Sequence, residues 1–282
     1  EPNGHTFTIS ETNYWPAPIE SKIGRETKIG NSSGTIHAET ACILHAPSTK
    51  DAELFITDPP CPNCAKNMAE AGIKALYIDH KGFDKDFAQR RGVLFASMSM
   101  RVLDAAGIPV YVVYRKERSL ETALEIKEGY IPPEENPARL LALDCALSKA
   151  VFQEQIKEAV ALYQNAPFAL ALGEQGAGNS VVFSASSHPA IGYTHDDDLS
   201  GEGKYSFILQ PINRIIMGAK LHGLSLDPRY IYSSRTPTAR ELINMIGANY
   251  TALSIGDNAA ARDEFGPLAM TQLKSAAILN FY

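Results

Sequence analysis

The chain has 282 residues, 45% of them apolar and 21% charged, with a formal net charge of −6. That length and composition suit two ordinary globular domains and exclude a chain disordered throughout. The acidity opposes sequence-independent binding to nucleic-acid phosphates, no apolar run of about 18 residues is present to span a membrane, and four cysteines are too few to staple so long a chain.

Taken in order, strand and helix signals alternate, which predicts an α/β protein. The start, Glu1-Pro2-Asn3-Gly4, lacks the basic and apolar regions of a signal peptide. Thr6 to Ser10 alternates like a strand, and a Pro/Gly-rich loop runs from Tyr14 to Gly34. Thr35 to Ala46 reads as a helix, Leu54 to Thr57 as a strand, and Pro62 to Ala71 as a helix. In that helix Pro62 suits the first turn and Gly72 the carboxyl-terminal cap. Ala75 to Ile78 is the next strand, Val93 to Ala106 a helix, and Pro109 to Tyr114 a strand. Arg90-Arg91 is the one short basic candidate and reads as a solvated loop or helix end.

From Lys116 to Tyr163 the pattern becomes charged and helical around Ile131-Pro132-Pro133-Glu134-Glu135, the best linker candidate. A second α/β series follows, with strands at Phe168 to Leu172 and Ser180 to Ser184. The glycine-rich stretch between them, Gly173 to Gly178, precedes a strand rather than a helix and so reads as a hairpin turn, not a phosphate loop.

A shift of about 175 residues takes Ile56 to Ile231, Pro62 to Pro237 and Gly72 to Gly247, so the halves look like tandem copies. Under the same shift Cys61 becomes Thr236 and Cys64 becomes Ala239, so the second copy keeps the element order and loses the metal chemistry. The helix near Leu147 to Asn165 and the strand near Phe168 to Leu172 have no counterparts in the first half; residues upstream of Glu1, or another segment, would supply them.

Two strings carry the chemistry: His37-Ala38-Glu39 and Pro60-Cys61-Pro62-Asn63-Cys64. His37, Cys61 and Cys64 provide three ligands for Zn²⁺. A structural zinc normally takes four protein ligands, whereas a catalytic one keeps a place for water. Cys61 and Cys64 are three apart at a predicted helix start, where the helix dipole favours thiolates. Glu39, not needed as a ligand, is placed to take a proton from water at the open position and deliver it to a ring nitrogen and to departing ammonia. H-x-E followed by P-C-x-x-C is the signature of zinc deaminases acting on bases.

Thr35 to Ile43 and Pro60 to Ile73 resemble the cytidine and deoxycytidylate deaminase superfamily, the cysteine segment looking closest to its deoxycytidylate branch. The likeness is clear over roughly Thr6 to Val113 and faint over Phe168 to Tyr282. It implies a three-layer α/β/α cytidine-deaminase-like fold in two tandem copies, with residues 1–116 the zinc-binding catalytic domain, 117–146 a helical linker region and 147–282 a degenerate domain without ligands. It also implies substrate contacts from the Ala38 backbone, the Pro60 carbonyl and Asn13, for which a plain turn residue is the alternative. Where that branch usually has an asparagine two residues after the glutamate, this chain has Ala41.

The expected activity is hydrolysis of the C–N bond in a cyclic amidine, most simply a cytosine base, nucleoside or nucleotide. The alternatives are another amino-substituted ring (guanine, a triazine, a pterin), a base in RNA, or a non-catalytic scaffold. Zn²⁺ is the expected cofactor, and a small molecule rather than nucleic acid or membrane the expected partner, with a homodimer left open. Of the other candidates, His45 reads as a packing or surface histidine, and Trp15 and Phe83 as loop anchors. His188 and His222 have no metal partners nearby in sequence, and Asp196-Asp197-Asp198 reads as a solvated loop. Cys42 and Cys145 fall in apolar, helix-like stretches and are expected as buried thiols. Unpaired thiols suit a reducing, cytoplasmic setting.

Overall fold

A computed structural model describes residues 7–84, 93–176, 178–199, 201 and 203–282, with side chains not described at 84 and 93–97. In chain order the first half holds α1 (Ala17–Lys22), α2 (Ala38–His45), β1 (Glu53–Ile56), α3 (Pro62–Glu70), β2 (Ala75–Asp79), α4 (His80–Asp84), α5 (Val93–Ala105), β3 (Val110–Tyr114) and β4 (Ser119–Leu124). The second holds β5 (Arg139–Ala142), α6 (Lys149–Tyr163), β6 (Phe168–Gln175), β7 (Asn179–Ser186), β8 (His188–Pro189), β9 (Ile208–Leu209), α7 (Pro211–Leu221), β10 (Leu224–Thr236), α8 (Ala239–Gly247), β11 (Ala252–Ala261), α9 (Phe265–Ser275) and β12 (Asn280–Phe281).

Two sheets result. The first runs β1-β2-β3-β4, with β1, β2 and β3 parallel and β4 antiparallel on the edge. Parallel neighbours need crossovers, and helices α3 and α5 provide them. The second runs β12-β11-β10-β6-β7-β5, with its β10, β11 and β12 side parallel and the rest antiparallel. Here α8 and α9 form the crossovers, so the order strand-helix-strand-helix-strand occurs in both halves.

The second sheet is covered on both faces. Phe152 and Ala159 of α6 pack on Phe168, Leu170, Leu172, Val182 and Tyr232, while α7 closes the other side over Ala171 and Phe183. The mixed α/β architecture expected is present, with helices on both faces of this sheet. On the first sheet, Leu76, Ile78 and Val110 join the core with Met68 of α3 and Leu103 of α5. The opposite side presents a ladder of rings, Phe55 on Tyr77 at 4.4 Å and Tyr77 on Tyr111 at 5.2 Å, with Phe55 67% exposed.

One core runs through both halves. Ile36, Leu44 and Met68 from the first half and Ile212, Ile216, Leu242 and Ile246 from the second belong to the same buried cluster. Gly247 packs closely across this core: a β-carbon there would lie 3.0 Å from the Ile36 side chain, which would have to give way.

Several expectations are corrected. Residues 117–146, expected as a helical linker, carry strands β4 and β5 instead. The chain turns at Arg115–Arg118, with Arg118 at φ 53°, and lays Ser119 back against Tyr114 on the open edge of β3. Residues 7–10 form no strand; they stand across a cavity from β1 rather than pairing with it, and Thr6 lies outside the described residues, as does Arg90-Arg91. The loop from Tyr14 to Gly34 contains the short helix α1, with Pro16 as its N-cap residue and Pro18 in its first turn, where a proline's missing N–H costs nothing. Helix α2 begins at Ala38, not Thr35, because residues 35–37 are extended and Ile36 bridges to Tyr14. Cys145 is exposed in a loop and Cys42 only half-buried, so neither is the core thiol expected. The glycine stretch does form the β6–β7 turn, with Gly176 at φ +61° and Gly178 at +91°. Among the described residues no helix is long and apolar enough to cross a membrane.

Candidate metal centre

His37 and Cys61 are the residues immediately before α2 and α3, and both have the extended backbone of a helix N-cap. The Cys61 sulfur faces the free N–H of Cys64 at 3.5 Å, as an N-cap acceptor does. Pro62, with its φ preset and no N–H to satisfy, holds that first turn in place. The two helix starts converge, so the Cys64 sulfur lies 3.5 Å from both the Cys61 sulfur and His37 Nδ1.

All three donor atoms lie within 4.8 Å of one another. A tetrahedral zinc with bonds of about 2.1–2.3 Å would set such donors about 3.4–3.8 Å apart. The charges agree with that fit. Hydrogen bonds from Cys64 and His37 hold the Cys61 thiol well below its usual range, while bonding to Cys61 and burial push Cys64 well above it. Carrying charge on both sulfurs would need a cation between them; a divalent ion would supply it, with His37 as its nitrogen ligand.

The surroundings fix these ligands. Thr40 Oγ1 lies 3.5 Å from the Cys64 sulfur and accepts a hydrogen bond from Asn67 at 3.2 Å. Glu39, in the first turn of α2, is 9% exposed, and burial pushes its carboxyl up to about 7. It lines a cavity of about 990 Å³ together with His37, Cys61, Asn13 and Phe55.

Asn13 reaches the site, where its Oδ1 accepts the Ala38 N–H at 2.8 Å. Ala38 lines the cavity, but its N–H is already engaged. Pro60 is buried, and the cavity wall beside the cysteines is formed by Pro59 and Cys61. His45 is tied to Glu11 at 2.7 Å and to the Gly247 carbonyl at 3.2 Å, far from a ligand role. Trp15 donates to the Arg25 carbonyl at 3.1 Å, anchoring its loop.

Two contacts between the halves brace the site's surroundings without any local sequence signal. Arg240 of α8 donates to the carbonyls of Thr35 at 2.8 Å and Ser33 at 2.9 Å, fixing the strand that leads into His37. Lys66 of α3 crosses the other way and donates to the Ser206 carbonyl at 2.5 Å, its buried amine lowered to about 7 by desolvation.

Residues 20–79 match the family described as the cytidine and deoxycytidylate deaminase zinc-binding region. The deoxycytidylate deaminases of Enterobacteria phages T2 and T4 are each 44% identical over 50 residues, 16% of this chain and 27% and 26% of theirs. An uncharacterized deaminase from the luxG 3′ region of Aliivibrio fischeri is 32% identical over 77 residues, 27% of this chain and 50% of its own. The matched stretches thus span a quarter to a half of the relatives' lengths. Residues 20–79 thus carry the zinc-binding region of the cytidine and deoxycytidylate deaminase superfamily.

Proposed function

We propose that the protein is a hydrolytic deaminase of a cytosine base, nucleoside or nucleotide. The observation that carries this reading is Glu39, buried on the same cavity as His37 and Cys61 of the three-donor cluster yet not part of that cluster. Bound at His37, Cys61 and Cys64, zinc would act as a Lewis acid that makes water nucleophilic near neutral pH. Glu39 takes a proton from the attacking water and passes it to the ring nitrogen. It then conveys the second proton to the amine, which leaves as ammonia while the ring carbon becomes a carbonyl. A carboxyl near pH 7 is matched to both steps. Asn13 holds the first turn of α2 through Ala38, keeping Glu39 on the cavity wall.

The phage deoxycytidylate deaminases favour a cytosine nucleotide, and Ala41 is the departure from that branch. Residues 147–282 read as a silent second copy, supported by the shared strand-helix order. There the helix starts that would hold a metal are closed by a carboxylate: Glu241 accepts from Ile212 N at 2.9 Å and Thr238 N at 2.8 Å. This copy packs on the first half as a second subunit would.

The test is Glu39→Gln assayed over a panel of amino-bearing bases, nucleosides and nucleotides, with zinc content measured in parallel. Retained zinc with ammonia release reduced by about 10²–10⁴-fold is expected. Undiminished release would remove Glu39 from the chemistry.

A further inference from the structure

Glu135, His188 and His195 take no part in the site above, and they meet only in the folded chain. Glu135 lies in the irregular segment before β5, His188 opens β8, and His195 sits in the loop beyond it. Glu135 Oε2 is 2.8 Å from His195 Nδ1 and 3.8 Å from His188 Nε2, and the three donor atoms lie within 4.8 Å of one another. The two imidazoles meet edge to face with centroids 4.9 Å apart.

His188 is set as a metal ligand usually is. Its ring is buried and its Nδ1 lies 3.2 Å from the Pro189 carbonyl, so an N–H there donates and the Nε2 lone pair turns toward Glu135. The nearest guanidinium, Arg214, would repel a cation, but Glu70 at 3.0 Å and Glu134 at 3.7 Å take up its charge.

We propose that Glu135, His188 and His195 form a second site for a divalent transition metal of the zinc type. Zinc with nitrogen and oxygen bonds of about 2.0–2.2 Å places its donors about 3.3–3.6 Å apart. The separations of 2.8 and 3.8 Å bracket that span. The adjustment falls on His195, whose side chain is 67% exposed. Two imidazoles and one carboxylate leave a fourth place for water. The ion clips the segment before β5 to the loop after β8, joining the connection between the sheets to the second half.

The experiment uses the tag-free full chain, stripped with chelator and titrated with Co²⁺. Bound metal is measured directly, and absorption distinguishes the sites, because only thiolate ligands give sulfur-to-cobalt charge transfer. The wild type is expected to bind two equivalents. His195→Ala, an exposed change that leaves the core intact, is expected to bind one and keep the charge-transfer band. Cys61→Ser with Cys64→Ser is expected to bind one and lose the band. One equivalent in the wild type, or two in His195→Ala, overturns the proposal and leaves Glu135 and His195 as an ion pair only.

Discussion

Glu70 of α3 and Arg214 of α7 form a fully buried ion pair across the two halves, Nε to Oε1 at 3.0 Å, with side chains 5% and 2% exposed. The guanidinium also donates from Nη1 to the carbonyls of Asn136 at 2.9 Å and Ser186 at 3.2 Å, so its Nε and Nη1 protons are used. Desolvation outweighs this partner at Glu70 and raises its carboxyl, with Glu134 adding to the rise. The pair is costly to bury and costly to break.

Removing one partner leaves the other charged and buried, a loss of about 3–5 kcal/mol. Glu70→Ala and Arg214→Ala should each fall in that range by urea unfolding. Glu70→Leu with Arg214→Met should recover much of it, because both charges then leave together. A double variant as unstable as the sum of the singles would mean the two residues act separately.

Arg240 should matter to the zinc site although it touches no donor atom. Its bonds to Thr35 and Ser33 fix the approach to His37, and outer partners of this kind are worth about 10–100-fold in metal affinity or activity. Arg240→Ala should show that loss in zinc affinity or turnover. Zinc affinity and turnover both equal to wild type would show that the loop holds itself.

Gly192 packs its backbone against the end of α5. A β-carbon there would lie 2.0 Å from the Ala105 carbonyl oxygen, and the residue has φ +94°. Gly192→Ala therefore meets both a backbone clash and a disfavoured conformation, together at least about 2–3 kcal/mol. Thermal unfolding should show a drop of several degrees; an unchanged midpoint would mean the loop moves away freely.

Tyr250 follows α8, and burial pushes its phenol up to about 12. An unfolded tyrosine ionises near 10, so between pH 10 and 12 the unfolded chain loses a proton that the folded chain keeps. Stability should fall as pH rises through that window, by about 2–3 kcal/mol for this group. Tyr250→Phe should flatten that part of the decline, and urea midpoints at pH 9, 10 and 11 compare the two. Parallel curves would place the phenol in water.

Local pattern made much of the fold legible. Pro62 and Gly72 mark the ends of α3, and Leu76 and Val110 sit in buried strands of the first sheet. The region around Lys116 was misread because Ser119 to Leu124 has too little apolar character to separate from a charged helix. Its state is settled by the open edge of β3, which no local window contains. Of Thr6 to Ser10, residues 7–10 go the other way: the alternation is real, but among the described residues no strand pairs with them.

What the sequence determined by itself is the zinc chemistry, because ligand type and spacing lie within two short strings and each helix start orients its own donors. Tertiary structure decided which distant residues serve that chemistry and how the halves share a core. Arg240, Lys66 and the Glu135–His188–His195 cluster depend on packing between segments far apart in the chain, and side-chain proximity of that kind is set by the fold's global geometry rather than by any local periodicity.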